Sequence, residues 1–144
     1  MSSITYVKSS EITNAAAEVA AEEINLGLSI NEAARILGAE LGVFAASVTA
    51  TVKVDLSFDP EDTTIDGADD EHFACLERNA FGTSVDSSWA YLFLDFSRMN
   101  LITTRNLALI VETLVAGGTG RAKIYFEKYT PGAQELNQLI AARR

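Results

Sequence analysis

The sequence is poor in the residues that carry reactive chemistry. It holds one histidine, His72, and one cysteine, Cys75, in 144 residues. A single cysteine excludes an intramolecular disulfide, and nothing points to an oxidising compartment. Only 2 prolines are present, and apolar residues make up 48% of the chain, which is a globular composition rather than a disordered one. Basic residues are scarce, 11 Lys and Arg against 20 Asp and Glu, for a net charge of −9. An average surface of that sign repels a phosphate backbone, so nucleic-acid binding is not expected. No apolar run approaches the roughly 20 residues of a membrane span. The opening MSSITYVKSSE lacks a basic stretch followed by an apolar one, so no signal peptide is expected. Nucleophile elbow and dinucleotide fingerprint are both missing. A chain of this length buries roughly 70% of its unfolded surface as one domain and needs no staples.

The clearest pattern is VTATVKVDLSFD, from Val48 to Asp59. Val48, Ala50, Val52, Val54, Leu56 and Phe58 alternate with Thr49, Thr51, Lys53, Asp55, Ser57 and Asp59. That alternation predicts a strand with one buried and one wet face. Before it, Ile12, Ala15, Ala16, Val19, Ala20 and Ile24 predict an Ala-rich helix over 11–24. Ser29 and Glu32 have capping-box spacing, and Ile30, Ala33, Ala34, Leu37 and Leu41 follow at helical intervals, predicting a second helix.

Residues 71–80, EHFACLERNA, read as a short helix with Phe73, Leu76 and Ala80 inward; a strand is the alternative. WAYLFLDF, Trp89 to Phe96, is apolar on both faces. This predicts a central strand covered on both sides, or one covered in an oligomer. Residues 103–115 fit either helix or strand. The glycine loop at 116–120 and the alternating RAKIYFEKY after it favour two strands in a hairpin. Thr130 as cap and Pro131 in the first turn announce a last helix, with Ala133, Leu136, Leu139 and Ile140 as its apolar stripe and Arg143 and Arg144 at its negative end. The expected class is therefore α+β: an antiparallel sheet or sandwich of about four to five strands, two N-terminal helices and a C-terminal helix. As a single domain over 1–144 it divides into an arm at 1–9, a helical part at 10–42, a β-rich core at 43–129 and the helix at 130–144.

Candidate chemistry is sparse. Asp62, Thr64, Asp66 and Gly67 match the first half of a calcium loop, with Asp70 nearby, inside a stretch where eight acids fall within seventeen residues. Position twelve, where the chelating Glu belongs, is Phe73, so a solvated acidic loop is the simpler reading. His72 and Cys75 are too few for a structural zinc, and no third group is evident to orient a Cys–His pair. Gly117 to Gly120 with Arg121 and Lys123 lack the P-loop ending and read as a turn. Trp89, Tyr91, Phe93 and Tyr125 read as core or interface residues rather than a ligand pocket, and Trp89, Tyr91 and Phe93 are the interface candidates.

SINEAARILGAELGV resembles the opening of a helix-turn-helix of small transcription regulators, but the would-be recognition helix over 39–50 carries no Lys, Arg, Asn or Gln to reach DNA. The segment WAYLFLDFSRMNLITTRNLALIVET resembles β-rich structural proteins of tailed-phage particles. That resemblance implies a non-enzymatic structural subunit without cofactor, located in the virion or the host cytoplasm. Its partners are copies of itself or other proteins of a larger assembly, with no membrane and no nucleic acid. The alternatives are a DNA-associated regulator and a small ligand-binding or calcium-binding domain.

Overall fold

The computed structural model describes residues 4–45, 50–65, 71–79 and 89–142. Its strands are β1 (Tyr6–Asn14), β2 (Val19–Ile24), β3 (Ala33–Ala45), β4 (Thr51–Ser57), β5 (His72–Asn79), β6 (Ala90–Asp95), β7 (Leu101–Thr103), β8 (Leu107–Leu114) and β9 (Gly118–Tyr129), followed by helix α1 (Ala133–Ala142). Sheet A runs β1-β9-β3-β6, with β7 also paired to β3; sheet B runs β2-β8-β4-β5. Every pairing is antiparallel. The chain crosses repeatedly between the sheets, and this interleaved order is that of a jelly roll. Among the described residues no helix is long and apolar enough to cross a membrane.

The long alternating stretch behaves as its pattern predicts on one side. Val52, Val54 and Leu56 are fully buried and Phe58 nearly so. They meet Leu41, Val43, Ile124 and Phe126 from sheet A and Leu107, Leu109 and Val111 from sheet B in one continuous core. Val48 and Thr49 lie outside the described residues. The other side departs from expectation, because Asp55 and Ser57 are also buried.

Both N-terminal helices are corrected to strands. Over 11–24 the chain forms the end of β1, a corner and β2. The Asn14 side-chain amide pins that corner, donating to the carbonyls of Glu18 at 3.1 Å and Val111 at 3.2 Å. Over 33–45 the helical spacing has a different origin. A β-bulge between Ile36 and Gly38 inserts Leu37 into β3. Inward positions are therefore Ala34 and Ile36 before the bulge, then Ala39, Leu41, Val43 and Ala45 after it. The parity switch imitates a period of three to four. The extra carbonyl of Leu37 accepts from the Phe96 N–H at 2.8 Å. The capping-box contact itself forms, since the Ser29 N–H donates to Glu32 Oε1 at 2.8 Å, but it closes a turn before a strand. Ile30, expected on the apolar helix face, is 92% exposed. The helix-turn-helix reading loses its helices with this correction.

Residues 72–79 are strand β5 rather than a helix, and a second bulge explains that misreading too. Ser57 pairs with His72 and Leu56 with Ala74, leaving Phe73 extra. Phe73 turns inward and stacks on Phe58 at 4.3 Å between ring centroids. The hairpin expected around the glycine loop is corrected as well. β8 and β9 are both strands, but they belong to different sheets, so the loop is a crossover. Its glycines serve close packing: a Cβ on Gly118 would lie 2.5 Å from Val52 Cγ2, and one on Gly120 would lie 2.6 Å from Val111 Cγ2. Helix α1 lies where expected, although the Gly132 carbonyl accepts its first bond, from the Leu136 N–H at 2.9 Å. Of its apolar stripe, Leu136, Leu139 and Ile140 are half-buried and Ala133 is exposed; Arg143 and Arg144 lie outside the described residues.

Candidate functional site

Two places hold side chains that core packing does not explain, one on the outer face of each sheet.

The outer face of sheet A carries the aromatic residues of β6. Inward positions of β6 complete the core edge with Ala90 and Leu94. Outward, Tyr91 is 53% and Phe93 57% exposed. The expected central strand is therefore corrected to an edge strand: among the described residues β6 pairs only with β3. Register sets the neighbours. Tyr91 lies across from Gly42, which faces Arg121, which faces Glu11; Phe93 lies across from Glu40, which faces Lys123, which faces Ser9. Gly42 has no side chain because Tyr91 folds over it, with a ring carbon 2.8 Å from where a Cβ would stand. Gly38 bears the Phe93 ring in the same way, at 3.0 Å. Trp89 stacks on Tyr91, ring centroids 5.9 Å apart, and on its own ring carries the Arg121 guanidinium 3.7 Å from the centroid. Arg121 also pairs with Glu11 at 3.1 Å and reaches the Tyr91 hydroxyl at 3.5 Å. All three interface candidates, Trp89, Tyr91 and Phe93, thus fall on one face.

The outer face of sheet B holds a sealed ionic cluster. β4 turns Asp55 and Ser57 outward, the bulge in β5 turns His72 the same way, and the loop after β4 folds Asp62 over them. The His72 Nδ1 lies 2.5 Å from Asp55 Oδ2, and its Nε2 lies 2.7 Å from Asp62 Oδ2. The second contact is close but off the ring N–H direction, since Nε2 makes no aligned hydrogen bond. All three side chains are buried, at 4% exposure for His72, 2% for Asp55 and 10% for Asp62. Burial by itself lowers the His72 value, but the Asp55 and Asp62 carboxylates outweigh it and hold the imidazole above its ordinary range. Burial raises Asp55, outweighing the opposing pull of His72. Burial also acts to raise Asp62, yet the Thr64 N–H, the Ser57 hydroxyl and His72 together bring it below the ordinary carboxylate range.

This geometry redistributes the sequence candidates. His72 and Cys75 do not form a pair; Cys75 is exposed, and burial of its sulfur followed by the nearby Asp55 charge raises its thiol. Of the calcium candidates, Asp62 and Thr64 are brought together, with Asp62 Oδ1 accepting from the Thr64 N–H at 3.0 Å and hydroxyl at 3.2 Å. Asp62 Oδ2 accepts from the Ser57 hydroxyl at 3.1 Å. Asp66 and Asp70 lie outside the described residues. Among the described residues no group of three acids, His or Cys is arranged to hold a metal ion. Asp55 was missed as a partner of His72. Asp55 stands between the core residues Val54 and Leu56, but its place in the row with Lys53 and Ser57 gives it the pattern of a wet face. No protein-family model matches the sequence, and no curated protein is detectably similar to it.

Proposed function

We propose that this chain is a non-enzymatic structural subunit that assembles with copies of itself through the β6 edge of sheet A. The observation that carries the proposal is the exposure of Tyr91 and Phe93, 53% and 57%, on a strand whose outer edge is unpaired among the described residues. Aromatic residues are enriched in protein interfaces. An open strand edge is a template for pairing with another chain. The jelly roll supports the reading only by compatibility, since it also serves lectins and cupins. The core weighs against an interior ligand: Leu41, Val43, Val52, Leu56, Ile124 and Phe126 fill the space between the sheets. By the resemblance of segment 89–113 the assembly is a virus particle of the tailed-phage kind, and the place of action is the virion or the host cytoplasm. Sedimentation velocity over a wide concentration range tests this. The expected result is a concentration-dependent oligomer in the parent protein and a monomer after Tyr91→Ser with Phe93→Ser. A parent protein that stays monomeric at millimolar concentration, alone and with the other proteins of its particle, overturns it.

A further inference from the structure

We infer that the outer face of sheet A carries a second site, a half-open hollow between β1, β9, β3 and β6 that takes a neutral saccharide. The hollow has a volume of about 510 Å³ and its lining includes Tyr91, Arg121, Lys123, Glu11, Glu40 and Ser9. That volume lies within the range of about 300–1,000 Å³ typical of small-ligand sites. The inference does not rest on self-assembly: Tyr91 of β6 is common to both, but Ser9, Glu11, Glu40, Arg121 and Lys123 of the hollow lie on β1, β3 and β9.

The chemistry of the lining selects the ligand class by elimination. Two carboxylates and two cations alternate across the strands, in the rows Glu11–Arg121 and Lys123–Glu40. Their charges balance. A phosphate or sulfate that approached Arg121 would meet Glu11, already paired with it at 3.1 Å. A metal ion that approached Glu40 would meet Lys123 on the adjoining strand. An apolar ligand would strip water from four charged groups and return no hydrogen bonds. A neutral ligand dense in hydroxyls fits every member. Carboxylates accept from vicinal hydroxyls, Arg121 and Lys123 donate to ring and hydroxyl oxygens, and charge-assisted bonds of this kind are the strong ones. The Tyr91 ring, 53% exposed, supplies the apolar surface against which the C–H face of a sugar packs.

The lining is also held in place before any ligand arrives. Arg121 is clamped by Trp89 at 3.7 Å, Glu11 at 3.1 Å and the Tyr91 hydroxyl at 3.5 Å. Its Nε is shielded from water and has no hydrogen-bond partner among the described residues. Tyr91 is fixed over Gly42, where no side chain competes for the space. Side chains ordered in advance reduce the entropy lost on binding.

Trp89 is the single tryptophan of the chain and stacks on Tyr91, so its emission reports on the hollow. The test titrates the full chain with maltohexaose, cellohexaose, xylohexaose and chitohexaose, and with a heparin hexasaccharide as the anionic control. The expected result is a saturable change in Trp89 emission with at least one neutral oligosaccharide, insensitive to added salt. Glu40→Ala is expected to weaken that binding by about tenfold, with Glu40→Gln intermediate, while the thermal melt and the sedimentation mass stay unchanged. A parent protein that stays monomeric yet binds a neutral oligosaccharide would sink the assembly reading alone. Absence of a saturable response to all four neutral oligosaccharides at about 10 mM overturns this inference, as does undiminished binding in folded Glu40→Ala. Salt-sensitive binding confined to the heparin fragment overturns it too, since that marks an anion site.

Discussion

On the outer face of sheet A, Tyr91 and Phe93 stand more than half exposed, although they are the kind of residue that packs into cores. On the outer face of sheet B, Asp55 and His72 are almost wholly buried, although they are the kind that stays in water. Both faces reverse the ordinary preference, and they do so with opposite consequences. Exposed rings carry a free-energy gain that is realised only when something covers them. A buried ion pair has already paid its desolvation and holds the loop after β4 down on the sheet. On the proposed reading sheet A is the face that takes a partner, whereas the Asp55–His72 cluster on sheet B is already covered by the loop after β4.

The largest way to break this comparison is on sheet B. His72→Ala leaves Asp55 buried without its counter-charge, and removing one member of a buried pair typically costs about 3–5 kcal/mol. Urea unfolding should show the unfolding free energy falling by that amount; a change under about 1 kcal/mol would mean that the cluster is solvated and contributes little. Double replacement by a neutral, volume-matched pair at positions 55 and 72 should recover much of the loss, because the pair is costly to split and not especially costly to replace.

A sharper and smaller effect is the response to pH. His72 is held above its ordinary range in the fold. The stability it adds is therefore fully present below about pH 6.5 and is lost as pH rises through the raised folded value. Asp55, raised by burial, has the same sign at lower pH: its contribution falls as pH climbs from about 3.9 through its folded value. Asp62 has the opposite sign, adding stability above about pH 3.9 that is lost as pH falls through its depressed value. With one histidine in the chain, the change between about pH 6 and 8 isolates His72, since the raised Cys75 thiol begins to matter only above about pH 8.5. Melting temperatures should fall across that window in the parent and stay flat in His72→Gln. Equal slopes in the two proteins would sink the assignment.

On sheet A the expected stability effect is the smallest. Phe93→Ser should change the unfolding free energy by no more than about 0.5 kcal/mol, because a residue 57% exposed loses little on truncation. Light scattering of the same variant should nevertheless show loss of the oligomer. A variant that unfolds easily yet still associates would reverse the roles given to the two faces.

The sequence disclosed strands best where pairing is regular. Val52, Val54 and Leu56 alternate without interruption, and β4 was legible together with its core face. It misled where a bulge changes parity. Leu37 in β3 and Phe73 in β5 each add one residue, and each turns an alternation of two into a spacing of three or four that imitates a helix. Ser29 and Glu32 reinforced the error, because their contact is equally at home in an isolated turn. The β8–β9 loop misled for another reason: its glycines answer to the side chains of Val52 and Val111 on the facing sheet, which no local pattern announces. That Tyr91 and Phe93 share one face was legible from the alternation of β6, which the structure keeps, with both rings on the outer side of sheet A. The partnership of Asp55 with His72 was hidden because it depends on two strands and a loop whose register emerges only in the folded chain.

The most direct measurement of the central claim is amide hydrogen exchange of β6 at rising protein concentration. If copies pair along this edge, the amides of Ala90–Asp95 that do not bond to β3 gain protection as concentration rises, while those of β2, an edge strand of sheet B, do not change. Exchange in β6 that is independent of concentration up to the millimolar range would contradict the account.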